Sequence, residues 1–137
     1  MFQRFTTEAR QTIIQASRTA QRHGRCWVSA EDILLDLLCH DHCTASSVLA
    51  ALHPDVGALR KRAKTRIDEA DGLVSSKPVL ELANDECRTL EHSCLGTGHL
   101  LLGLLRESKG VSAALLRDAG LDVVQVREQM ARLPAEN

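Results

Sequence analysis

The strongest constraint on how this chain can fold is that it repeats itself. Displaced by 67 positions, Ile13 falls on Leu80, Ala16 on Ala83 and Val28 on Leu95. Leu34, Leu35, Leu37 and Leu38 fall on Leu101, Leu102, Leu104 and Leu105, and Val48-Leu49 falls on Leu115-Leu116. Asp55-Val56 meets Asp122-Val123, and Arg60 meets Arg127. A single offset held without a gap over this span points to two copies of one module. Their expected extents are about residues 5–68 and 72–133, with a linker near 69–76.

Each copy reads as four helices. In the first, small or apolar residues at Ala9, Ile13, Ala16 and Ala20 follow a helical period, with Thr6 or Thr7 placed to cap the start and Gly24 to end it. Ser29 to Asp32 opens a second helix with Ile33, Leu34, Leu37 and Leu38 inward; Thr44 opens a third, and Pro54-Asp55 a fourth that reaches about Asp68. The second copy repeats the plan, with Pro78 in the opening turn of its first helix. No segment alternates as a half-buried strand does. The predicted class is all-α: two four-helix repeats, about eight helices, sharing one core in a single domain over 1–137.

Composition narrows the function. The formal net charge is −1, which disfavours a nucleic-acid binder, and Phe2, Phe5 and Trp27 are the only aromatic residues, too few for a base-stacking platform. No apolar run is long enough for a membrane span and no secretory leader is recognisable, so the five cysteines are expected as free thiols in the cytoplasm. Cys26 and Cys94, which precede the second helix of each copy, are expected to pack as small buried hydrophobes.

The stretches MFQRFTTEAR, SAEDILLDLL and LGTGHLLLGLLRESKGVSAALLRDAGL together resemble the N-terminal domain of ClpC-type Hsp100 chaperones, a double Clp repeat with a G-T-E-H-I-L-L-G-L signature. The second signature stands at Gly96, Thr97, His99, Leu101, Leu102, Gly103 and Leu104; the first is degenerate, running from Ser29 to Leu37. The resemblance implies a non-enzymatic interaction module that needs no cofactor. It would receive substrate proteins, adaptors or degradation tags, and it sits on an Hsp100 ATPase ring in the family. No G-x-x-x-x-G-K-[ST] loop is present to cradle a nucleotide, so the chain reads as an excised domain or a stand-alone homologue. No nucleic-acid or membrane partner is expected.

Two surfaces follow from the resemblance. Family members bind phosphoarginine through a signature Glu and a Thr near the start of the first helix, which match Glu31 and Thr6; in the second copy Gly98 and Leu73 stand there, so that site is expected to be lost. Phe2 and Lys77 match a surface at which cyclic peptide antibiotics dock in actinobacterial relatives, with Gly72 in place of a second aromatic residue. This gives an alternative role, a stand-alone decoy that captures such peptides. A third reading rests on Cys39-His40-Asp41-His42-Cys43, where Cys39, His42 and Cys43 are candidate ligands of a metal- or redox-dependent protein. The repeat places that run opposite Arg106 to Gly110, a turn between helices, and no partner pair stands at zinc-finger spacing.

Overall fold

A computed structural model describes residues 4–69 and 72–134. Eight helices are present among them: α1 (Thr7–Arg22), α2 (Ala30–Cys39), α3 (Thr44–Leu52), α4 (Val56–Glu69), α5 (Lys77–Thr89), α6 (Thr97–Arg106), α7 (Val111–Asp118) and α8 (Val123–Ala131). Local chemistry sets their starts. Thr6 accepts the Ala9 amide at 3.1 Å, Ser29 and Asp32 form a reciprocal capping box, and Asp122 accepts the Gln125 amide at 2.8 Å.

Helices α6, α7 and α8 start 67 residues after α2, α3 and α4. The first pair departs from that register. Both α1 and α5 end at the common offset, at Arg22 and Thr89, but they start at Thr7 and Lys77, so α5 is nearly one turn shorter. Ser75 and Ser76 turn the chain and Pro78 takes the first turn of α5, where its missing N–H leaves no bond unmade. The position matching the Thr6 cap is therefore Ser76 and not Leu73, a correction to the gapless alignment.

The core is shared. Every residue from Thr97 to Leu105 is buried, because TGHLLLGLL has no polar stripe to give to water. Helix α6 packs against α5, α7 and α8 of its own copy and against α1, α2 and α3 of the other. Gly103 sets the closest approach: a Cβ there would lie 2.5 Å from the Val79 carbonyl oxygen and 3.2 Å from the Ala83 nitrogen of α5. Signature leucines thus make the core and the signature glycine admits the neighbouring backbone.

The copies also interlock at their chain starts. The Thr6 amide donates to the Leu95 carbonyl at 2.9 Å, and the Ser76 amide donates to the Val28 carbonyl at 3.0 Å. Leu95 and Val28 are themselves 67 residues apart. Each copy therefore sends the start of its first helix to the loop before the signature helix of the other. Isolated bridges Phe5–Leu95 and Ser29–Ser75 accompany these bonds. Among the described residues, no helix is long and apolar enough to cross a membrane.

Candidate functional site

Glu31 is the second residue of α2, in a turn where the backbone leaves amides unpaired and favours negative charge. It is only 1% exposed. Its Oε1 accepts the Val74 amide at 2.8 Å, and the Ala30 amide donates to the Val74 carbonyl at 2.9 Å, so residues 74–76 run alongside 28–31. The second oxygen, Oε2, is buried and has no hydrogen-bond partner among the described residues. Burial pushes the carboxyl up. The Val74 amide and the Glu31 amide itself oppose that rise, whereas the neighbouring carboxylates Glu107 and Asp32 add to it. Glu107 is also buried, accepting the Lys109 and Gly110 amides at 2.6 and 3.0 Å. A buried, ionisable oxygen with unused acceptor capacity can take a guanidinium or another N–H donor.

The chain segment beside this carboxylate comes from the other copy. Ser76, at the start of α5, pairs with Val28, whereas Thr6 pairs with Leu95 and lines a cavity beside Gly98. The structure therefore sets Thr6 against the second signature loop and Glu31 against the linker. That exchange of chain starts is a long-range pairing with no trace in local sequence. Lys77, the first residue of α5, is exposed and lines a shallow cleft with Trp27, Val28, Leu80 and Glu81. Trp27, 42% exposed, stacks its ring under the Arg25 guanidinium at 5.3 Å. Phe2 lies outside the described residues, and Gly72 is exposed with φ +138°.

The matching place in the second copy is a cavity of about 350 Å³ lined by Thr6, Gly98, His99 and Met130 among others. A Cβ at Gly98 would meet Met130 Cε at 2.7 Å and Sδ at 2.8 Å, so a thioether stands over the position where the first copy has a carboxylate. His99 takes the place of Asp32. Its Nδ1 accepts the Gly96 amide at 2.8 Å, and its Nε2 lies 2.8 Å from His92 Nδ1.

The Cys39–Cys43 run divides between two environments. Cys39 is exposed at the end of α2, His42 adopts a left-handed conformation with φ 63°, and Cys43 is buried at the start of α3 in contact with the core. Because α2 stops at Cys39, the two thiols are not carried on one helical face. No group of three or more His, Cys, Asp or Glu residues is placed to hold a metal among the described residues. Cys26 and Cys94 are exposed, contrary to expectation, because both lie on loops at the module surface; the buried thiols are Cys43 and Cys87. Burial pushes the Cys87 thiol up.

These features define a duplicated four-helix module whose two clefts are each built from both copies. Residues 74–136 match the Clp repeat (R) N-terminal domain family model. The chain is 38% identical over 141 residues to the ClpA-homologue ATP-binding subunit of the ATP-dependent Clp protease from Guillardia theta, covering 97% of this chain and 17% of that protein. It is 37% identical over 145 residues to the chloroplastic chaperone protein ClpC of Pisum sativum, covering 100% of this chain and 16% of that protein. The crystal structure of the N-terminal domain of the chaperone ClpD from Arabidopsis thaliana superposes with a TM-score of 0.65 at 21% identity, covering 96% of this chain and 98% of that one. The chain belongs to the Clp N-terminal domain family. It spans about a sixth of the length of the curated relatives it matches.

Proposed function

We propose that this domain is a non-catalytic interaction module of the Clp system, and that it receives substrate proteins or adaptors through a guanidinium-recognising site at Glu31, next to the cleft lined by Trp27, Ser76 and Lys77. The observation that carries the reading is the unpartnered Glu31 Oε2. Leaving a buried carboxylate oxygen unsatisfied lowers stability, and such a group is kept where a ligand completes it. A phosphoarginine side chain matches the surroundings. Its guanidinium pairs with Glu31, and its phosphate reaches Ser76, Lys77 and the N-terminus of α5. The hydroxyl partner in this reading is Ser76 in place of Thr6, which belongs to the Gly98 cavity. Substrates held here would pass to an Hsp100 ATPase ring, whether on the same polypeptide or another, in the cytoplasm.

The exposed Trp27 and Lys77 and the half-buried Leu80 favour a second role for the neighbouring cleft, capture of small apolar peptides, including cyclic peptide antibiotics. Trp27 is the only tryptophan and lines a cleft with Ser76 and Lys77, which both readings use, so its fluorescence is a probe of either. Titration with a phosphoarginine-bearing peptide should change Trp27 emission saturably, and the same peptide with plain arginine should act at least about tenfold more weakly. No change with the phosphorylated peptide would remove the phosphoarginine reading. A response to an apolar cyclic peptide alone would leave only the second role.

A further inference from the structure

The fourth helices of the two copies hold the same place in the repeat but differ in charge. Between Asp55 and Asp68, α4 carries Arg60, Lys61, Arg62, Lys64 and Arg66 with no acid among them. Displaced by 67, the last four fall on Glu128, Gln129, Ala131 and Leu133. Arg60 alone has a basic match, Arg127, and both act inside the module. Arg60 Nε donates to the Leu38 carbonyl at 2.8 Å, and Arg127 is paired with Glu86. Helix α8 therefore shows that the repeat folds without the other four charges.

One of those four, Arg66, meets Asp118 of α7 at 2.9 Å. The remaining three, Lys61, Arg62 and Lys64, are exposed and form no ion pair among the described residues. Asp68 stands one turn beyond Lys64 without closing one. The helix dipole does not account for them, because its influence fades within the last turn and these three precede it. Helix α7, which packs against α4, brings the exposed Arg117 together with Asp118, so it leaves the local excess of positive charge in place.

The dimensions and the neighbouring side chains select the partner. From Arg60 to Arg66 the helix rises about 9 Å, a span that suits a few carboxylates. A duplex would call on roughly six or more phosphate contacts, and the whole chain carries a formal charge of −1. No aromatic residue stands on α4 to stack a base. The other exposed residues before Asp68 are Gly57, Ala58 and Thr65, none of them large and apolar enough to enter a lipid surface. We propose that the outer face of α4 docks an acidic segment of a partner protein, whose Asp and Glu side chains pair with Lys61, Arg62 and Lys64. This face shares no residue with the Glu31 site or with the cleft lined by Trp27, so it can be lost without losing either.

Fluorescence anisotropy of a labelled acidic peptide, Glu-Glu-Asp-Gly-Glu-Asp-Glu, titrated with the full chain tests this. Binding should be saturable at about 20 mM salt and weaken at least about tenfold by about 300 mM. Replacing Lys61→Glu, Arg62→Gln and Lys64→Ala together installs the residues that α8 carries at the matching positions. That variant should keep its melting temperature within a few degrees and still take the phosphoarginine-bearing peptide, while its affinity for the acidic peptide falls at least about tenfold. The milder pair Lys61→Gln and Lys64→Gln should lose several-fold. No binding by the wild type, or equal binding by the triple variant, would overturn the assignment. Tighter binding of a single-stranded oligonucleotide of the same length, or of phosphatidylglycerol vesicles, than of the peptide would overturn it too.

Discussion

Asp32 and His99 hold the same post in the two copies. Each is the third residue of its signature helix, and each accepts the amide of its own N-cap, Ser29 at 3.0 Å and Gly96 at 2.8 Å. Each also reaches a side chain seven residues earlier. Arg25 holds Asp32 through two bonds of 2.7 and 3.0 Å, and His92 meets His99 at 2.8 Å. One network is an ion pair and the other is built of imidazoles. Burial alone would raise the Asp32 carboxyl, but Arg25 and Ser29 outweigh it and hold the group below the usual carboxylate range.

That equivalence predicts an exchange. His92→Arg alone places a guanidinium against an imidazole, and His99→Asp alone leaves a carboxylate without its arginine, so each single change should destabilise. The double variant should recover about 1–2 kcal/mol relative to the sum of the two, measured by urea unfolding in a double-mutant cycle. Strict additivity would show that the two networks are not interchangeable.

Glu31→Gln should stabilise the domain by about 1 kcal/mol at neutral pH, because an amide replaces a buried carboxylate with an unpaired oxygen. The sign follows from the direction of the shift. The folded-state pKa of Glu31 is raised, so its ionised form weakens the fold above that value, and protonation relieves the penalty as pH falls. The advantage of the Gln variant should therefore be greatest at neutral pH and fade on acidification. Denaturation curves at several pH values check this.

Glu86 behaves in the opposite way. It is buried and accepts from Arg127 at 2.9 and 2.7 Å and from Arg106 at 2.8 Å. Arg127 does most to hold its carboxyl low; burial opposes this and Arg106 assists. A depressed acid contributes stability that is present above its unfolded pKa and lost as pH falls through the folded value. Glu86→Gln should therefore cost about 2–4 kcal/mol at neutral pH, and acid unfolding of the wild type should be steeper than that of the variant.

Gly103→Ala should be severe for its size. The new methyl meets the Val79 carbonyl and the Ala83 nitrogen, which are helix backbone and can move only if α5 moves. The expected loss is about 3 kcal/mol, a melting temperature lower by roughly 10 °C in calorimetry. Gly98→Ala should be milder, since the atoms it meets in Met130 are the end of a flexible side chain.

Much of the fold was written locally. The caps at Thr6, Ser29 and Asp122 and the leucines of α2 and α6 follow from side-chain chemistry and helical period, which the chain states twice. The late start of α5 was less visible, because the apolar positions of the two first helices still align at 67 while a turn at Ser75-Ser76 delays the helix. Glu31 was singled out by resemblance alone, and its hydrogen bond from Val74 depends on a contact 43 residues away. The same is true of Ser76, whose place beside Val28 arises only when the two copies exchange their chain starts. Hydrophobicity misjudged Cys26 and Cys94, since loop position outranks residue type there.

Calorimetric titration of a phosphoarginine-bearing peptide into the wild-type domain and into Glu31→Gln bears most directly on the idea of a cleft that holds tagged proteins. Saturable binding by the wild type, weakened at least about tenfold in the variant while its fold is retained, is the predicted result. Equal affinity for both proteins, or no heat with either, would contradict it.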